Sequence, residues 1–206
     1  MLMFKNKSQF RFIVIEGIDG SGKSTIARGL SNKLSCHYYR TPPDIISKCL
    51  VSTTDQSVTL REYIDQKAFD QPQMRFLFYL FSLMQASNDI LHLLKTNHVV
   101  CDRYIASTLV YHRILDPRLN SIDFDWLDII SPDYEILLTI RDTETLRERL
   151  SRKNSAVSDN IVESNLPLLF EAQHKFSQLG LMEIPTDKLS VNEVLSVIIA
   201  KITTSA

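Results

Sequence analysis

The eight residues Gly17-Ile-Asp-Gly-Ser-Gly-Lys-Ser24 constrain this chain more than any other stretch. They have the spacing Gly-x-x-x-x-Gly-Lys-Ser, in which glycines let successive backbone N–H groups turn toward one anion. The context is what such a loop requires. Phe12-Ile-Val-Ile15 precedes it and is apolar at every position, as in a strand covered on both faces. Lys23 to Leu34 follows, with Ile26, Ala27, Leu30 and Leu34 at helical spacing. A helix N-terminus adds positive partial charge to the N–H groups. The chain has only five glycines, and Gly17, Gly20 and Gly22 are three of them, so the loop is not a by-product of glycine-rich composition.

This loop predicts a cradle for nucleotide phosphates, formed by Gly17, Gly20, Ser21, Gly22, Lys23, Ser24 and Thr25. Lys23 is expected to reach the β- and γ-phosphates of ATP, and the Ser24 hydroxyl to help hold Mg²⁺. No Asn/Thr-Lys-x-Asp segment follows a predicted strand, which disfavours a guanine-specific switch, and 206 residues are few for a motor. A small kinase is the leading expectation.

Strand-like apolar runs alternate with longer helical patterns along the whole sequence, predicting an α/β fold: three layers, a mainly parallel five-stranded sheet and helices on both faces. Further strands are expected at Cys36 to Arg40, His98 to Cys101, Tyr134 to Ile140 and Met182 to Ile184. A long helix is expected from about Gln73 to Leu94, apolar all round from Phe76 to Phe81 and therefore largely buried. Residues 52 to 72 read as polar and irregular. Asp142 to Arg152 reads as a charged helix, and residues 153 to 164 as a mobile flap, with a short LID over about 150 to 164. Leu166 to Leu179 reads as a helix. Ser190-Val-Asn-Glu193 is a capping box opening the last helix. One domain is expected over residues 1 to 206, a length that supports one buried core.

A net charge of −1 and a pI near 6.5 provide no field to hold a polyanion, so the expected partner is a small molecule and not a nucleic acid polymer. The longest apolar run is far short of the roughly twenty residues a membrane span needs. The cysteines Cys36, Cys49 and Cys101 form no CxxC or metal-ligand pattern and are expected to pack as small core residues in a reducing cytosol. A cytoplasmic location follows.

Ligands of open α/β sheets bind at the carboxyl ends of the strands. Asp19, Arg40, Asp102 and Arg103 all fall there, and two arginines suit an acceptor that already carries a phosphate. Asp102 serves either as a general base or as an organiser of Mg²⁺. Arg149 and Arg152 are expected to stabilise charge on the transferred group if the flap closes, whereas Arg147 reads as structural.

With these residues in place the chain resembles the thymidylate kinases, which convert dTMP to dTDP with ATP. The resemblance rests on Phe12 to Thr25, Arg40-x-Pro42, Asp102-Arg-Tyr with Ser107 and Tyr111 downstream, Pro132-Asp133, and the arginine-bearing helix. It implies that Asp19 faces the acceptor sugar's 3′ hydroxyl, that Arg40 and Arg103 bind its phosphate, that Phe78 stacks on the base, and that the chain is a homodimer, with the helix from Phe76 to Met84 available as its interface. Ser21 stands where some members carry arginine, which resembles the branch with its catalytic arginine in the flap region; Arg152 and Lys153 fit that branch. Ser82 stands where the family has a base-reading arginine, His112 where glutamine is usual, and Pro43 where glycine is usual. Losing a base-reading donor relaxes or alters discrimination. The same fold acting on a nucleoside, sugar or specialised-metabolite hydroxyl, or binding nucleotide without transfer, are the alternative readings.

Overall fold

The computed structural model describes residue 3 and residues 5–52, 57–66, 70–122, 127–152 and 165–204. The expected flap, 153 to 164, and Lys153 with it, lie outside the described residues.

Five parallel strands form the central sheet in the order β2-β5-β1-β6-β7: β1 Phe12–Gly17, β2 His37–Arg40, β5 Val99–Asp102, β6 Tyr134–Thr139 and β7 Met182–Pro185. Ile13 pairs with Val100 on one side and Tyr134 on the other. β1 is therefore central, and every residue in it is buried. Alternate side chains of β1 point to opposite layers. Phe12 and Val14 enter the core beneath α4 (Pro72–Leu93), with Phe76, Leu80, Leu83 and Cys101. Ile13 and Ile15 pack under α1 (Lys23–Lys33) and the C-terminal helix α8 (Val191–Thr204), against Ile26, Leu30, Leu195 and Ile198. A third cluster joins α5 (Ile105–Leu115), α6 (Thr143–Arg152) and α7 (Leu166–Ser177) around Ile18, Leu146, Leu169 and Phe176. The three layers and the parallel sheet agree with the expectation.

The strand and helix starts have visible causes. Asp133 accepts from the Phe12 backbone N–H at 2.7 Å and donates its own N–H back to the Phe12 carbonyl at 2.8 Å, so the Pro132-Asp133 segment fixes where β1 begins beside β6. The capping box at α8 is present: Glu193 accepts from the Ser190 N–H at 2.8 Å, and the Ser190 hydroxyl accepts from the Glu193 N–H at 3.3 Å.

Three expectations need correction. Residues 52 to 72 are not irregular where they are described: β4 (Ser57–Thr59) pairs antiparallel with β3 (Leu50–Ser52) and leads into α3 (Leu60–Gln66), after the one-turn α2 (Asp44–Ser47). α4 is not buried all round, because Leu77, Phe81 and Met84 are exposed at 61%, 60% and 42%. Of the cysteines only Cys101 is a buried core residue; Cys36 is half-buried and Cys49 exposed.

Candidate active site

The loop after β1 bends through three glycines with positive φ, and two of them are fixed by close neighbours. A Cβ on Gly17 would sit 2.4 Å from the Leu138 carbonyl oxygen, and one on Gly20 2.7 Å from Leu146 Cδ1. Any larger residue would push the loop off β6 or α6. The loop feeds α1 directly, with Gly22 as its N-cap at φ 93°. Lys23 is buried, donates to the Ile18 carbonyl at 2.7 Å and stands 3.5 Å from Asp19. The Ser21 hydroxyl is fully buried and has no hydrogen-bond partner among the described residues. An unsatisfied donor inside a loop of converging N–H groups suits a phosphate oxygen.

A cavity of about 660 Å³ opens from this loop across the carboxyl ends of the strands. Gly20 to Thr25, Asp19, Arg40, Asp102, Arg103, Ser107, Tyr111, Arg149 and Arg152 all line it. Gly17 lies just behind, accepting from Arg103 at 3.4 Å. Most of the residues expected at the site thus lie around one cavity.

At the end of β5 the Ser24 hydroxyl donates to Asp102 Oδ2 at 2.5 Å, and the Tyr38 hydroxyl approaches the same oxygen at 3.3 Å. One hydroxyl and one buried carboxylate are hard oxygen donors of the kind Mg²⁺ takes when nucleotide phosphates and water complete its shell. The residues present fit that ion.

Arg103 adopts φ 69°, rare for a residue with a side chain, and is held there by its N–H to the Ile15 carbonyl at 3.0 Å. Its guanidinium pairs with Asp19 and reaches the Ser107 hydroxyl at 3.2 Å. Beneath it Glu16, fully buried, accepts from the Tyr104 N–H at 2.8 Å, from the Ser107 N–H at 3.2 Å and from the Ser107 hydroxyl. Burial raises the Glu16 pKa, opposed by those hydrogen bonds and by Arg103. Glu16 was legible only as part of a motif; its task is to tie the end of β1 to the start of α5.

Arg149 is not a free flap-facing cation. It donates to the Thr186 hydroxyl at 3.0 Å and carbonyl at 2.7 Å, and reaches the Gly20 carbonyl at 3.5 Å, clamping the phosphate loop to the segment after β7. Arg152 pairs with Glu148 at 3.1 Å and Arg147 with Glu144 at 3.3 Å, both on the exposed face of α6. Thr186, Leu189, Val191 and Val194 complete the lining beside the loop. Their position was available from the rule that ligands sit beyond strand ends, applied to β7.

Phe78 and Ser82, expected at the base, do not line the cavity. The Ser82 hydroxyl is buried and turned back on the Phe78 carbonyl at 2.8 Å, and the Phe78 ring packs edge-on against Tyr79. The lining residues of α4 are Arg75 and Tyr79, four apart on a face about 60° round the helix from Phe78 and Ser82. Arg61 of α3 joins them, as do Thr108, Tyr111 and His112 of α5.

Comparison with known proteins identifies the family. The thymidylate kinase family pattern matches residues 15–192. A protein named "Probable thymidylate kinase" from Methanococcus aeolicus is 30% identical over 207 residues, covering 93% of this chain and 95% of its own length. One from Methanocaldococcus jannaschii is 30% identical over 192 residues, covering 91% and 93%. Among solved structures, thymidylate kinase from Candida albicans superposes with a TM-score of 0.70 at 21% identity, over 97% of this chain and 94% of that one. Deoxyadenosine kinase from M. mycoides gives 0.63 at 15% identity, over 94% and 99%, a likeness of fold. Among the described residues no helix is long and apolar enough to cross a membrane. A phosphate loop, strand-end arginines in the same cavity and a family match over most of the sequence have one reading: this chain belongs to the thymidylate kinase family and is a nucleotide kinase.

Proposed function

We propose that the chain transfers the γ-phosphoryl group of ATP to a nucleoside monophosphate, with dTMP as its acceptor and dTDP as product. One observation carries this reading: a single cavity is lined by the phosphate loop and by Arg40 and Arg103. The loop, with Lys23, takes the donor phosphates, and the two arginines take the phosphate of the acceptor. With a second pKa near 6 that phosphate is ionised at neutral pH and attacks without a strong base. Asp102 is then better used in holding Mg²⁺ with Ser24 than in accepting a proton. Mg²⁺, when bound, neutralises charge on the β- and γ-phosphates.

The chain's own residues supply position. Asp19 orients the Arg103 guanidinium, Ser107 and the Gly17 carbonyl fix its other edge, and Glu16 fixes the backbone that carries it. Lys23 must leave the Ile18 carbonyl to meet the phosphates. Arg149 acts through the loop it clamps, and Arg152 reaches the cavity from the end of α6.

A homodimer is part of the same proposal. Leu77, Phe81 and Met84 form one exposed apolar stripe at helical spacing on α4, a surface that a second copy would cover. We also place the protein in the cytoplasm, consistent with three free cysteines among the described residues.

ADP release coupled to a reporter reaction, run with dTMP, dUMP, UMP and nucleosides, tests the assignment. Turnover with dTMP well above the others is expected. Failure of every monophosphate, with turnover of a nucleoside or another hydroxyl compound, would reject it.

A further inference from the structure

The two arginines assigned to the acceptor phosphate stand at the ends of different strands, Arg40 closing β2 and Arg103 following β5. Between them lies Thr41, whose hydroxyl none of the roles above uses. Thr41 is 8% exposed and lines the cavity. In the register of the sheet Arg40 pairs with Asp102, so the next residue on each strand, Thr41 and Arg103, fall side by side. Two bonds use that position. The Thr41 N–H donates to the Asp102 carbonyl at 3.3 Å, and the Thr41 hydroxyl donates to the Arg103 carbonyl at 2.9 Å.

Arg103 needs such support. A positive φ crowds the Cβ of an L residue, and a side-chain-bearing residue keeps it only where its surroundings over-determine the backbone. Here they act on both sides of the α-carbon. The Arg103 N–H is held by the Ile15 carbonyl at 3.0 Å, and the Arg103 carbonyl takes the Thr41 hydroxyl together with the Cys101 thiol, whose sulfur stands 3.1 Å away. A carbonyl only accepts, so both groups donate and its two lone pairs are filled. A thiol is the weaker donor of the two.

These contacts divide the work. Ile15 and Cys101 fix Arg103 to β1 and to its own strand, whereas Thr41 alone among the three joins it to the strand that carries Arg40. With its hydrogen committed to Arg103, the Thr41 hydroxyl has none left for a phosphate oxygen. It acts through the arginine. Because charge-assisted pairing of guanidinium with phosphate is directional, an anion held by two arginines depends on their spacing. An acceptor without a phosphate does not feel it.

Resting on the nucleoside monophosphate reading above, we infer that Thr41 is a positioning residue for the acceptor phosphate: its hydroxyl locks the left-handed backbone of Arg103 to the strand end that bears Arg40, and so sets the spacing of the two guanidinium groups.

Calorimetric binding of dTMP and of thymidine separates the phosphate from the rest of the acceptor. The wild type is expected to bind dTMP about 100-fold more tightly, the worth of two charge-assisted contacts. Thr41→Val, which keeps the shape and removes the hydroxyl, should weaken dTMP about tenfold and leave thymidine unchanged. Thr41→Ser, which restores the donor, should bind dTMP as the wild type does. In an Arg103→Ala background Thr41→Val should cost nothing further, since coupled residues are not additive. Thr41→Ala is read in its place if thermal melts show Thr41→Val unfolded. A folded hydroxyl-free variant with wild-type dTMP affinity, or one that loses dTMP and thymidine alike, would overturn the inference while leaving phosphate recognition by the arginines intact. So would a full tenfold loss on top of Arg103→Ala. A wild type that binds dTMP no better than thymidine would overturn the acceptor-phosphate reading, and this inference with it.

Discussion

The Ser24 hydroxyl and the Asp102 carboxylate meet at 2.5 Å, so the first turn of α1 and the carboxyl end of β5 share a hydrogen bond where a divalent cation would sit. Substituting either partner should act on metal use before anything else. Ser24→Ala and Asp102→Asn are expected to raise the Mg²⁺ concentration for half-maximal rate and to lower kcat, by about 100-fold for Asp102→Asn. Lys23→Ala should lower kcat by a similar factor at every Mg²⁺ concentration. Magnesium titrations of the three variants separate the two behaviours.

Arg149 binds Thr186 and the phosphate loop together, and its loss should be felt on the donor side. Arg149→Ala is expected to raise KM for ATP about tenfold while changing KM for the acceptor little, since a charged hydrogen bond to a buried partner is worth about 1.5–3 kcal/mol. Thr186→Val, which keeps the carbonyl, should show the weaker form. Initial-rate kinetics with each substrate varied in turn would show the asymmetry.

Phe78 and Tyr79 are adjacent but have opposite duties. Phe78→Ala should destabilise the fold by about 3–5 kcal/mol through loss of a buried ring, with the acceptor KM of the folded fraction nearly unchanged. Tyr79→Ala should raise the acceptor KM about tenfold by removing a ring that lines the cavity. Urea unfolding and acceptor titration of both variants would reveal the crossover.

Glu135 on β6 is half-buried near Glu16, and burial followed by that neighbouring charge pushes its pKa from 4.5 up to about 7. The folded protein therefore holds a proton there that the unfolded chain has released, between about pH 4.5 and 7. Stability from this group is full below pH 4.5 and falls as pH rises through 7, by up to about 3 kcal/mol. His112 works the other way below its ordinary 6.5, because its folded form resists protonation. Glu135→Gln should remove only the first slope, so the gain in Tm over wild type should grow from pH 5 to pH 8. Melts across that range check it.

The apolar stripe of α4 predicts a mass. The wild type should sediment as a dimer at micromolar concentration, and Phe81→Glu, at an exposed position with little role in the core, should yield a folded monomer. A wild type that is monomeric throughout would remove the dimer from the proposal.

Much of this was legible in the sequence where two local signals coincide. β1, the glycine loop and α1 were placed because an apolar run, turn chemistry and helical periodicity abut within a short span. Ser190 and Glu193 declared the last helix by their own capping bonds. Where a signal lacks phase, reading failed. Phe76 to Phe81 is apolar at every position, so nothing in it says which side faces the cavity; the resemblance implies Phe78 at the base, whereas Tyr79 lines the wall. The exposure of Leu77 and Phe81 was hidden for the same reason. α3 escaped because its residues are mostly polar, and its Asp65 and Arg61 find their partners on α4 and within one turn. Arg149 was placed in the site by charge, but its clamp on Thr186 joins residues 37 apart in sequence.

Glu16 does not itself line the cavity, yet it fastens the strand that ends in the phosphate loop to the helix that follows Arg103. The two halves of the reaction are consequently hung from one carboxylate. The gap that the phosphoryl group must cross is set by the scaffold, as the jaws of a caliper are set by its beam, and nucleotide binding does not have to pull the jaws into register. A change as small as Glu16→Gln would leave both binding surfaces intact and spoil the span between them.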